Sequence, residues 1–164
     1  MMWIALLSSL AFATPPGELA GRWVFSGSSA ETAKVSQVVE EAAGRFNFMI
    51  RSIARGKIAT ACAIDSAIVI TGDDNTIQMD FEGPDARSRK GPSDGSAVPI
   101  PGREGTLTHK ITDSNNLLVV AKTPDGDRTT VYKRNGDVLT VSHTLLSEKI
   151  GKPALQWSLT YKRQ

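Results

Sequence analysis

Residues 116–145 read NLLVVAKTPDGDRTTVYKRNGDVLTVSHTL. Apolar and polar side chains alternate through three runs, separated by Asp125-Gly126 and Asn135-Gly136. Alternation with a period of two predicts strands with one buried face. Asp-Gly and Asn-Gly suit two-residue hairpin loops, whose central residues need positive φ. With those dipeptides as the loops, Leu139 faces Tyr132, Val141 faces Thr130 and His143 faces Arg128. In the other hairpin Val119 faces Tyr132, Ala121 faces Thr130 and Thr123 faces Arg128. Paired residues point to the same side of a sheet. Both hairpins therefore turn one set inward: Leu117, Val119 and Ala121; Arg128, Thr130 and Tyr132; Leu139, Val141, His143 and Leu145.

The pattern extends both ways. A three-residue loop at Asp113-Ser114-Asn115 adds Leu107, His109 and Ile111 to the inward face. A last strand, 154–163, adds Leu155, Trp157, Leu159 and Tyr161. Upstream, Ile68 and Ile70 alternate, Gly72-Asp73-Asp74-Asn75 turns the chain, and Ile77, Met79 and Phe81 alternate again. Residues 83–104 are rich in Gly, Pro, Ser and charge and predict a long exposed loop, with a short strand at Ala97 to Ile100.

Near the start, Gly21-Arg22-Trp23-Val24-Phe25 predicts a first strand, with Trp23 and Phe25 on one face. Ser28-Ser29-Ala30-Glu31 is a capping box. Val35, Val38, Val39, Ala42, Ala43 and Phe46 follow at helical spacing, and Ile50, Ile53 and Ala54 carry it to a stop at Gly56. Gly44 or Asn47 splits this block into two helices. From residue 57 the period returns to two, with Ile58, Cys62 and Ile64 on one parity.

The fold class is therefore mainly β: a meander of about eight to ten strands with a helical block, 29–55, after the first. Closing such a meander into an up-and-down antiparallel barrel buries its apolar face and removes exposed edges. This layout resembles the calycins, and among them the fatty-acid-binding proteins. Gly21-Arg22-Trp23 is similar to the Gly-x-Trp start of lipocalins. Leu159-Thr160-Tyr161 lies where intracellular lipid-binding proteins carry Arg-x-Tyr. The resemblance implies a ligand-holding barrel. Leu159 stands in place of the arginine, so that route to clamping a carboxylate is missing.

Composition sets the outer limits. The chain has 164 residues, about one domain, with 40% hydrophobic and 22% charged residues. A formal net charge of +2 argues against dedicated nucleic-acid binding, which needs clustered Lys and Arg. A single cysteine, Cys62, allows neither an internal disulfide nor a cysteine zinc cage. Residues 1–13 form an uncharged apolar run ending in Ala11-Phe12-Ala13, too short to span a bilayer. It predicts a signal peptide cleaved near Ala13, export to a periplasm or secretion, and one barrel domain over 14–164.

Several inward positions are polar. His109, Arg128, Thr130, Tyr132, His143, Trp157 and Tyr161 are the candidate ligand-binding residues. Arg128 opposite His143, with Tyr132 and Thr130 beside them, suits a carboxylate or phosphate head. Two histidines without a third ligand predict no metal site, and no cofactor is expected. No nucleophile motif points to catalysis, so an enzyme is not expected. Asp73-Asp74-Asn75 is read as a turn rather than a calcium loop. Arg45, Arg51 and Arg55 suggest peripheral contact with an anionic membrane. The expected function is an exported monomer that carries an apolar or amphipathic small molecule such as a fatty acid. The alternative is an envelope or secreted protein-interaction module, an inhibitor or assembly factor, with a filled barrel. A plug of Trp23, Trp157, Tyr132 and Phe81 would favour that alternative.

Overall fold

A computed structural model describes residues 17–164. The signal segment expected at 1–13 lies outside the described residues. After a short 3-10 turn at Gly17–Leu19 come β1 (Gly21–Phe25), α1 (Ser29–Gly44) and α2 (Arg51–Ala61). Then follow β2 (Ala67–Gly72), β3 (Thr76–Glu82), β4 (Arg87–Pro92), β5 (Val98–Pro99) and β6 (Thr106–Asp113). The chain ends with β7 (Asn116–Thr123), β8 (Gly126–Asn135), β9 (Val138–Leu146) and β10 (Leu155–Arg163).

The ten strands form one antiparallel sheet in the order β4-β3-β2-β1-β10-β9-β8-β7-β6-β5. Pairing of β1 with β10 brings the two ends of the described chain together, Trp23 opposite Arg163. The sheet curls into a nearly closed barrel. Its seam lies between β4 and β6 and is stitched at one end. There the Ile111 N–H donates to the Ser93 carbonyl at 3.0 Å and the Gly95 N–H to the His109 carbonyl at 2.9 Å. The expected architecture, a mainly β barrel with two helices after the first strand, is the observed one.

The inward face is the one the alternation selects. Leu107, Leu117, Val119, Ala121, Leu139, Val141, Leu155 and Leu159 are all buried. Both Gly-containing hairpins, however, turn one residue away from the expected place. Asn135 pairs with Val138, so the loop is Gly136-Asp137, and Thr123 pairs with Gly126, so the loop is Pro124-Asp125. No described non-glycine residue has a positive φ. Asn135 is thus kept out of a left-handed corner, and Gly136 takes it at φ 61°. Pro124, with its fixed φ, takes the first corner of the other turn. Moving a loop by one residue shifts every cross-strand partner by two, which leaves each side chain on its own face. The inward set survives while the partners change.

The helices differ more from expectation. Ser28 caps α1, accepting the Glu31 N–H at 3.3 Å. The other half of the capping box is not made. Glu31 instead accepts the Thr160 N–H at 3.1 Å and the Thr160 hydroxyl at 2.6 Å, fastening α1 to β10. The block does divide after Gly44, but α2 runs through Gly56 to Ala61, so Ile58 is helical rather than on a strand. Ile50 and Ile53, expected on the buried stripe, face solvent. The 83–104 stretch holds two strands, and β4 pairs with β3 along its whole length.

Candidate functional site in the barrel lumen

Strand register sets several of the polar inward residues side by side. Across neighbouring strands His109 stands beside Val119, Val119 beside Thr130, Thr130 beside His143, and His143 beside Trp157. These side chains form a transverse belt. Arg128 lies two residues from Thr130, flanked by Ala121 on one strand and Leu145 on the other. The small Ala121 leaves room for its guanidinium. Trp23, Ile70, Ile77, Met79, Leu117 and Leu139, all fully buried, fill the space around these residues.

Arg128 sits under the helical cap. Its Nη1 donates to the Ala61 carbonyl, in the last turn of α2, at 2.7 Å. A cation there meets the negative end of the helix. Its Nη2 donates to His143 Nδ1 at 3.1 Å, and the Thr130 hydroxyl reaches the same nitrogen at 3.2 Å. His143 Nδ1 is therefore an acceptor and the ring is neutral. Burial holds its pKa well below the ordinary value, and the Arg128 charge adds to that. The ring stacks on Trp157 at 4.8 Å, with the Arg128 guanidinium 5.4 Å from the indole. Arg128 and His143 thus meet as expected, though as diagonal neighbours rather than as an opposed pair.

The other candidates spread out from this network. Tyr132 is buried two residues further along β8, and that burial pushes its phenol pKa up. Tyr161 packs edge-on against Phe25 at 5.6 Å, outside the network. His109 has no exposed surface and neither ring nitrogen has a partner. Burial pushes its pKa down to about 4, assisted by Arg89. All seven candidate residues point into the barrel, and four of them (Arg128, Thr130, His143 and Trp157) make one contact network.

Two further lumen residues escape the sequence reading. Pairing with Phe81 and Met79 turns Arg87 and Arg89 inward from β4. Arg87 forms a two-pronged ion pair with the buried Asp65, at 2.8 and 3.0 Å, and lies 4.1 Å above the Phe81 ring. Arg89 has no ion pair or hydrogen-bonded side-chain partner among the described residues. Burial lowers its pKa to about 10, with Arg87 and Arg128 contributing, so it remains a cation at neutral pH. The charged run Arg87-Ser88-Arg89-Lys90 concealed this strand, because alternation of charge with serine carries no hydrophobic signal. The signal that was available is the parity of Arg87, Arg89 and Gly91 opposite Phe81, Met79 and Ile77.

The basic residues of the helical block separate into two kinds. Arg45 is held by Glu41 and by the carbonyls of Gly151 and Pro153, and Arg55 pairs with Glu40 at 2.8 Å. Those two are committed within the protein. Arg51 bonds the Phe46 carbonyl and stays exposed beside Phe48 (84% exposed), Met49 (74%) and Ile53 (63%). A pocket of about 300 Å³ opens between α1 and α2, lined by Val35, Val39, Ala59, Cys62 and Ile64 among others. Cys62 lies next to Ala61, which holds Arg128. Burial raises its thiol pKa to about 11, so it stays protonated. A second, larger pocket of about 540 Å³ lies against the 74–76 turn and residues 90–94. Asp73 serves that turn by accepting the Asn75 N–H at 3.0 Å. Among the described residues no three His, Cys, Asp or Glu side chains converge as metal ligands would. Among them, too, no helix is long and apolar enough to cross a membrane.

No protein-family model matches the sequence, and no curated protein does. Solved structures do match in shape. The REP1-NXSQ fatty acid transporter superposes with a TM-score of 0.56 at 16% identity, over 89% of this chain and 96% of its own. A secretary abundant heat soluble protein from Ramazzottius varieornatus gives 0.56 at 12% identity, over 90% and 96%. The Schistosoma mansoni fatty acid binding protein, in complex with arachidonic acid, gives 0.50 at 15% identity, over 88% and 95%. The chain has the fold of the fatty-acid-binding proteins and related calycin-like barrels.

Proposed function

We propose that this chain is a small-molecule-binding barrel whose ligand is an amphipath with an anionic head, a fatty acid or similar lipid. One observation carries the proposal. Arg87, Arg89 and Arg128 are on the inward face of the sheet, and Asp65 is the one buried carboxylate among the described residues. Asp65 neutralises Arg87. Two inward guanidinium groups, each partly exposed, remain without a carboxylate partner among the described residues, and desolvating such a charge is costly. A ligand head supplies that counter-charge. The fatty acid transporter and fatty acid binding protein of the same fold support a lipid as the cargo. The uncharged leader at 1–13 supports export, and we take the working form to be a non-enzymatic monomer.

The helical cap supports a route for the cargo. Phe48, Met49, Ile50 and Ile53 present an apolar patch beside Arg51 and Lys57, which suits contact with an anionic lipid surface. Arg45 and Arg55, paired with Glu41 and Glu40, are less free than Arg51 to join that contact.

Titration of tryptophan fluorescence tests the central statement, because Trp157 stacks on His143 beside Arg128. Dodecanoate is expected to bind more tightly than dodecanol. Arg128→Gln should weaken dodecanoate by about tenfold while changing dodecanol little, the loss of one charge-assisted hydrogen bond. Equal losses for both ligands would remove Arg128 from head-group binding.

One observation favours the protein-interaction alternative. Trp23, Trp157, Tyr132 and Phe81 are all buried in the lumen, as a filled barrel requires. Native mass spectrometry of the protein purified from its own host separates the two. A co-purifying lipid supports the carrier, and a clean apo mass with a co-purifying protein supports the interaction module.

A further inference from the structure

We propose that the lumen selects a doubly charged head group, a phosphate monoester on an apolar tail, over a monocarboxylate. This rests on the lipid-binding reading above and sharpens it. The argument is a count of charges and donors. After Asp65 has taken Arg87, two inward guanidinium groups remain, Arg89 on β4 and Arg128 on β8. Both lie on the inward face, Arg89 across from Met79 and Arg128 across from Ala121. A carboxylate neutralises one of them. A phosphate monoester carries about two negative charges near neutral pH and neutralises both.

The unused donors agree with the count. Arg128 Nε and Trp157 Nε1 are buried without partners, and so are both ring nitrogens of His109, one of which bears a proton. Buried polar atoms of this kind are normally satisfied, so each is a place for a ligand atom or a water. A carboxylate has two acceptor oxygens, whereas a phosphate monoester presents three terminal ones. His109 is held in position from the seam side. A methyl group placed on Gly91 would come within 2.8 Å of its Nδ1, so only glycine on β4 lets the ring lie there. Arg89, two residues from Gly91, shares that wall. Arg89 and His109 thus share the seam side of the lumen, and the belt from His109 through Thr130 and His143 to Trp157 leads from it to Arg128.

Dodecyl phosphate and dodecanoate differ in head group alone and make the direct comparison, read by tryptophan fluorescence at pH 8 and below micellar concentrations. Wild-type protein should bind dodecyl phosphate about tenfold more tightly than dodecanoate. Arg89→Gln should erase that preference, weakening dodecyl phosphate by a much larger factor than dodecanoate. Arg89→Lys keeps a charge at the position and should retain part of the preference. Thermal melts of each variant confirm that it is folded. Inorganic phosphate alone should neither bind at these concentrations nor displace the alkyl phosphate. Equal affinity for the two amphipaths, or a preference that survives Arg89→Gln, would overturn the proposal and leave the lipid-binding reading standing. Inorganic phosphate binding as tightly as dodecyl phosphate would overturn it in favour of a free-anion site. Failure of both amphipaths to bind would refute the lipid-binding reading itself.

Discussion

His109 is fully buried, uncharged, and has no hydrogen-bond partner for its ring. Its pKa falls to about 4 in the folded protein because burial opposes the charged form and Arg89 repels it. In the unfolded chain an ordinary histidine titrates near 6.5. Between those two values the unfolded state binds more protons, so stability rises with pH across the window. The contribution is whole above about pH 6.5 and is lost as the pH falls towards 4. His143, also held neutral by burial and by Arg128, acts in the same direction. The melting temperature is therefore expected to drop on acidification from pH 7 to pH 4.5. His109→Gln, which cannot charge, should make that drop shallower. A slope identical to wild type would show that His109 does not titrate across the window. At the same wall Gly91→Ala should destabilise by about 1–3 kcal/mol, because the new methyl must displace a packed ring. Urea unfolding measures it.

At the scale of elements, α1 is anchored by one carboxylate. Glu31 accepts two hydrogen bonds from Thr160 of β10, one from the backbone and one from the hydroxyl. Glu31→Ala removes both acceptors and should cost about 1–3 kcal/mol, measured by urea unfolding, with β10 otherwise intact. The sequence motif around it has the form of a self-contained capping box. Half of that reading holds, through Ser28, and the other half is lost to a contact that lies 129 residues away in the chain. Short motifs state which atoms need partners but not which partners arrive. The hairpins carry a related lesson. Alternation specifies the inward face through β6–β10, because a face is a matter of parity. The cross-strand partners depend on which residue takes the corner of each turn. That choice went to Gly136 and to Pro124, whose backbones suit it, and not to Asn135. Gly136→Ala should accordingly destabilise the β8–β9 hairpin by about 1 kcal/mol, with φ at 61° there.

The whole molecule combines a largely filled apolar interior with inward-facing arginines, one of them held by the helical cap, and puts an exposed apolar patch on that cap. Phe48, Met49 and Ile53 contribute little to the core and leave a surface of the kind that meets another apolar phase. Ile53→Asp should reduce sedimentation with phosphatidylglycerol vesicles while leaving dodecanoate affinity unchanged. Unchanged vesicle binding would remove this face from any membrane role.

The sequence alone was sufficient for the barrel, because a period-two pattern over six or more strands has few ways to bury its face. It was also sufficient for the place of the helices and for the inward direction of all seven candidate site residues. It left β4 unread: Arg87 and Arg89 bear no hydrophobic signal, and their orientation comes only from pairing with Phe81 and Met79. It misplaced Ile50 and Ile53, since helical spacing locates a stripe but not the partner that covers it, and the barrel supplies none there. The charge balance of the lumen belongs to the tertiary structure in the same way. Asp65, the β4 pair Arg87 and Arg89, and Arg128 come from three separate segments, and only the folding of the sheet turns one carboxylate and three guanidinium groups towards the same interior.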